Sequence, residues 1–127
     1  MNNETMINKE FVPFAVEVQV SNFSKSLEFY IDLLEFKAVR IDKNNKFATL
    51  SFNNSIFMIK EVPNLKQRGI GVQLRFILNK DFKKYFDKIK SKEVNMIKPI
   101  KTMSYGLTRF TVKDPDGFEL KFGTKSL

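Results

Sequence analysis

The chain has 127 residues, a net charge of +8 from 22 Lys and Arg against 14 Asp and Glu, and no cysteine, histidine or tryptophan. That length fits one domain or two small halves sharing a core. The missing residue types exclude disulfides, thiolate or imidazole metal sites, thiol nucleophiles and Ser-His-Asp triads.

Met1 to Glu10 is polar, with no h-region of a signal peptide. Phe14, Val16, Val18 and Val20 alternate with Ala15, Glu17 and Gln19, which predicts a strand with one apolar face. Ser21 to Ser24 offers capping side chains. Phe23, Leu27, Tyr30 and Leu34 then recur at helical spacing, predicting an amphipathic helix over 23–34. Three strands follow, over 36–41, 46–52 and 55–61, with turns at Asn44-Asn45 and Asn53-Asn54. Residues 62–70 hold Pro, Asn and Gly without periodicity and read as a linker.

The order then repeats. Val72, Leu74, Phe76 and Leu78 alternate with Gly71, Gln73, Arg75 and Ile77, predicting a second one-sided strand. Asn79 is the expected cap of a helix whose apolar face is Phe82, Tyr85, Phe86 and Ile89. A short strand is expected over 94–97, ending near Pro99, and a longer one over 105–113. Asp114-Pro115-Asp116-Gly117 is a turn, and Phe118 to Phe122 is the last strand. The fold class is therefore α+β, as two βαβββ modules over about 12–61 and 71–124 within a single domain of 1–127.

Alternation puts Ala15, Glu17, Gln19, Gln73, Arg75, Glu119 and Lys121 on sheet faces opposite the helices. Phe47, Ile56, Met58, Tyr105 and Leu107 fall where they could share those faces. Such polar residues either face water or line a pocket with apolar walls. The segments SNFSKSLEFY, from Ser21, and DPDGFELKF, from Asp114, together with the repeat, resemble the vicinal oxygen chelate superfamily. Within it, the glyoxalase/bleomycin-resistance-like proteins are most similar, over roughly 12–124. The resemblance implies paired modules with helices outside, curved mixed sheets around a ligand cavity, and a homodimer.

Enzymes of that family hold a divalent metal with His and Glu. Carried over one position at a time, the sites fall on Ala15, Gln73, Lys121 and, near the end of the first module, Met58. None is a usual ligand, so no metal and no cofactor is expected. The resemblance then implies a metal-independent small-molecule binder that sequesters an antibiotic or metabolite. The positive charge favours an anionic or neutral ligand over a cationic one.

Candidate ligand-binding residues are Glu17, Gln19, Met58, Gln73, Arg75, Tyr105, Arg109, Glu119 and Lys121. Arg75 either clamps an anion bidentately or pairs with Glu17 or Glu119. Lys60 is a weaker candidate of the same kind. Tyr105 is either a stacking wall or core. The alternative is a lyase- or isomerase-type enzyme with Glu17 or Glu119 as general base.

Only Arg40, Arg68, Arg75 and Arg109 are arginine, and the lysines are spread along the chain. That pattern reads as a solvated surface, so nucleic acid is not an expected partner. No apolar run approaches the ~20 residues of a membrane helix, so no membrane partner is expected either, and the expected location is the cytoplasm.

Overall fold

The computed structural model describes residues 12–125. The chain divides into two units, Met1–Lys66 and Gln67–Leu127. Each contains one helical segment and one four-stranded mixed sheet.

In the first unit, β1 (Val16–Val20) leads into α1 (Phe23–Leu27), which continues as a π-helical segment over Glu28–Leu33. Then come β2 (Lys37–Asp42), β3 (Phe47–Phe52) and β4 (Ser55–Glu61). The sheet order is β1-β4-β3-β2, with β1 parallel to β4 and the other pairs antiparallel. Val18, Val20, Ala48, Leu50, Phe52, Phe57 and Ile59 are buried on one face of this sheet. Phe23, Phe29, Tyr30 and Leu34 supply the opposing layer. Tyr30 lies 4.9 Å from Phe57, and Phe36 stacks on Phe52 at 4.6 Å, centroid to centroid.

The helix departs from a plain 3.6-residue period. Leu34 N–H donates to the Phe29 carbonyl at 2.9 Å, an i to i−5 bond. This wider turn buries Phe29 beside Tyr30, a core residue that the expected face of Phe23, Leu27, Tyr30 and Leu34 omits. Leu27 is only half-buried. The Asn22 side chain caps the helix by accepting from Lys25 N–H at 3.1 Å.

In the second unit, β5 (Gln73–Ile77) leads to α2 (Phe82–Lys90), followed by β6 (Asn95–Thr102), β7 (Leu107–Lys113) and β8 (Glu119–Lys125). The order is β5-β8-β7-β6, with only β5 and β8 parallel. Leu74, Phe76, Phe110, Val112, Leu120 and Phe122 are buried against Phe82, Tyr85, Phe86 and Ile89 of α2. Phe86 meets Phe110 edge-on at 5.1 Å, and Tyr85 packs 5.3 Å from Phe122.

Several local expectations change. Phe14 is outside β1 and 82% exposed, because the strand begins only at Val16. In the β2–β3 hairpin the left-handed residue is Lys46 (φ 52), not Asn44 or Asn45. Asn45 instead donates its backbone N–H and side-chain amide to the Asp42 carboxylate. Asn53 and Asn54 do both adopt positive φ (46 and 68), as a two-residue hairpin turn requires. The α2 cap is Asp81, itself left-handed (φ 60) and making no side-chain capping bond, rather than Asn79. β6 runs through Pro99 to Thr102. An edge strand tolerates a residue without N–H, and the register shifts on either side of Lys98 absorb it. β7 begins at Leu107, so Tyr105 lies outside it.

Candidate functional site

Each sheet has a polar face turned away from its helix, and cross-strand register shows which residues meet there. On the first sheet, Glu17 pairs with Met58 and Met58 with Thr49. Gln19 pairs with Lys60 and Lys60 with Phe47. Glu17 and Gln19 are exposed, while Met58 and Phe47 are half-buried. Lys60 donates to the Asn45 carbonyl at 3.1 Å and so braces the β2–β3 hairpin. Thr49 is 1% exposed, and its hydroxyl has no hydrogen-bond partner.

The second sheet concentrates charge. One row across β5, β8 and β7 is Gln73, Glu119 and Lys113. The next is Arg75, Lys121 and Thr111, extended by Lys98 of β6. A third is Ile77, Gly123 and Arg109, extended by Lys101. Gln73 donates its amide to Glu119 at 3.2 Å. Glu119 is thus engaged along its own row, and among the described residues Arg75 forms no ion pair with it. Burial holds the Lys121 ammonium below its usual pKa, and Arg109, Arg75 and Lys98 push the same way. Glu119 opposes them weakly.

Two polar atoms on this face are buried without a partner, Arg109 Nε and Thr111 Oγ1. Gly123 leaves room above its Cα for Ile77 and Leu107, whose Cδ1 atoms would lie 3.6 and 3.2 Å from a Cβ there. The face therefore joins a cationic row to a small apolar wall.

Tyr105 sits in the β6–β7 turn, which is closed by Met103 N–H to the Leu107 carbonyl at 2.7 Å. Its ring is 69% exposed, so it is not core. A cleft of about 420 Å³ lies in the first unit against Asn22, Phe23, Leu27, Lys43, Lys46 and Glu61. None of the candidate residues lines it. Glu61 accepts from Phe23 N–H at 2.9 Å and from Lys46 at 3.1 Å, which ties α1 and β3 to β4. Those bonds, that from Phe23 first, hold the Glu61 carboxyl below its usual value.

The linker contains a site that its lack of periodicity hides. Arg68 pairs with Asp116 at 3.6 Å, with side chains only 9% and 4% exposed. A Cβ on Gly69 would stand 2.5 Å from the Gly117 carbonyl. The segment is thus laid directly on the Asp114–Gly117 turn. Asp114 organises that turn by accepting from Asp116 N–H and Phe118 N–H at 2.9 and 2.8 Å. The only sequence signal is that Arg68 is one of four arginines.

The donor set does not fit a resident divalent metal. Gln73 is bonded to Glu119, Lys121 stands among like charges, and Ala15 and Met58 offer no oxygen donor from the side chain. Among the described residues no three His, Cys, Asp or Glu side chains are grouped to hold an ion. Among the described residues, too, no helix is long and apolar enough to cross a membrane.

Comparison with known proteins agrees with the fold. Residues 13–122 match the Glyoxalase/Bleomycin resistance protein/Dioxygenase superfamily. A glyoxalase/bleomycin resistance protein/dioxygenase from Alicyclobacillus acidocaldarius superimposes with a TM-score of 0.74 at 14% identity, over 88% of this chain and 89% of that one. TioX from Micromonospora sp. ML1 gives 0.71 at 15% identity, over 88% and 97%. An integron cassette protein from the mobile metagenome of Halifax Harbour sewage outfall gives 0.71 at 24% identity, over 87% and 96%. No curated protein matches the chain.

Proposed function

The chain belongs to the Glyoxalase/Bleomycin resistance protein/Dioxygenase superfamily, and we propose that within it the protein is a metal-independent binder that sequesters an anionic small molecule, an antibiotic or metabolite. One observation carries this reading. Arg75, Lys98, Arg109 and Lys121 share one face of the second sheet with Glu119. Arg75 and Lys98 are exposed, but Arg109 and Lys121 are half-buried, where gathered like charges are unfavourable unless something offsets them, and a ligand anion does so. Ile77 and Leu107 beside them supply apolar contact for the rest of the ligand. The same face repels a cationic drug. The reading includes a homodimer, which light scattering on the purified protein checks, and a cytoplasmic location.

Binding alone accounts for these residues. Glu17 is exposed and the Glu119 carboxylate accepts from the Gln73 amide, which favours binding over general-base chemistry at either residue. The test is thermal unfolding of EDTA-treated protein against anionic, neutral and cationic small molecules. Saturable stabilisation by anionic members, unchanged by added Zn²⁺ or Mn²⁺, is expected. Stabilisation by cationic members only, or only after metal loading, contradicts the reading.

A further inference from the structure

We infer that the cationic face of the second sheet is a binding site for a phosphoryl group, a phosphate monoester or a phosphonate, held by Arg75, Arg109, Lys121 and the Thr111 hydroxyl. The inference rests on the reading of an anion-binding protein and makes it specific.

Three arguments lead from the residues to that group. The first is charge. Around Lys121 the cations Arg75, Lys98 and Arg109 outnumber the one acidic partner, Glu119, among the described residues, and that carboxylate takes the Gln73 amide. The surplus suits a dianion better than a carboxylate, because a phosphate monoester carries about −1.5 to −2 at neutral pH. The second is donor supply. Two guanidiniums, an ammonium and a hydroxyl exceed what two carboxylate oxygens readily accept, whereas three peripheral phosphoryl oxygens accept them all. The third is the pair of orphaned atoms. Thr111 is 0% exposed and its Oγ1 has no partner, and Arg109 Nε is buried and equally unpaired. Buried polar groups in folded proteins are normally satisfied, and a bound oxyanion would satisfy these.

The geometry is compatible with one small anion. Lys121 lies between Arg75 and Thr111 in the strand register, and Arg109 stands two residues from Thr111 on the same face of β7. Neighbouring strands are about 4.8 Å apart, so side chains from all three converge over Lys121 and Thr111. In the row Arg75, Lys121, Thr111, Lys98 the hydroxyl thus has a cation on the strand at either side.

The experiment titrates EDTA-treated protein with inorganic phosphate, methylphosphonate and acetate at constant ionic strength, followed by calorimetry and thermal unfolding. Inorganic phosphate and methylphosphonate should bind saturably and raise the melting temperature, with acetate at least tenfold weaker. Arg75→Met should weaken phosphate binding roughly tenfold or more, as loss of a charge-assisted hydrogen bond does. Thr111→Val, nearly isosteric, should weaken it several-fold while leaving the protein as stable or more so without phosphate. Lys84→Met, on the solvent side of α2, should leave binding unchanged. Equal effects of all three anions would overturn the phosphoryl assignment while leaving the broader anion reading in place. Equal phosphate affinity in Thr111→Val and Arg75→Met would remove the site from this face. No stabilisation by any anion, including the wider set of anionic small molecules, would overturn both.

Discussion

At the scale of single residues, one buried ion pair and one crowded lysine are electrostatic opposites. Arg68 and Asp116 form an ion pair with almost no solvent access. Removing one member of such a pair leaves a buried charge, so Arg68→Met or Asp116→Asn should cost ~3 kcal/mol in urea unfolding. Lys121 is the opposite case. Its folded pKa is lowered from 10.5, first by burial and then by Arg109, Arg75 and Lys98. A Lys with a lowered folded pKa penalises folding in full below that pKa, and the penalty fades as pH rises through it towards the unfolded value. Lys121→Met should therefore melt higher than the parent protein at pH 7, and the gap should narrow as pH approaches 10. A gap that widens with pH would contradict this.

At the scale of elements, legibility follows the range of the interactions. A two-residue period is local, so the polar placement of Glu17, Gln19, Gln73, Arg75, Glu119 and Lys121 is readable from the sequence. The meeting of Arg75, Lys121, Thr111 and Lys98 needs the register of four strands, which no local pattern carries. The π-helical widening that buries Phe29, and the left-handed Asp81 that moves the α2 cap past Asn79, are likewise products of tertiary packing overriding local preference. The linker is the clearest miss. Its importance rests on contacts with a turn far along the chain.

Two predictions belong to the elements. Gly69 has φ of +67, and an added Cβ would meet the Gly117 backbone at 2.5 Å. Gly69→Ala should destabilise by at least ~1 kcal/mol from the left-handed backbone alone, with the clash adding to it. The same change at Gly71, also at positive φ but with no atom within 4 Å, should cost less, as thermal unfolding would show. The second concerns Glu61, which ties α1 and β3 to β4. Its folded pKa lies below the usual 4.5. The unfolded chain thus takes up the proton first as pH falls, and stability is lost from about 4.5 downwards through the folded value. Glu61→Gln should be less stable at pH 7 and should lose less on acidification to pH 3.

At the scale of the whole molecule, the missing histidines and the surplus of positive charge acquire positions. The positions that the family resemblance matches to metal ligands carry Ala15, Gln73, Met58 and Lys121. Part of the charge is gathered on the polar face of β5, β8, β7 and β6, while Lys83, Lys84, Lys88 and Lys90 of α2 are solvent-exposed. On the proposed function, an anion binds on that face with no metal required. The most direct measurement is a phosphate titration of EDTA-treated, ¹⁵N-labelled protein, followed residue by residue in amide spectra. Saturable shifts centred on Arg75, Arg109, Thr111 and Lys121 are expected. Shifts centred on the Phe23–Glu61 cleft, or shifts that appear only after a divalent metal is added, would contradict it.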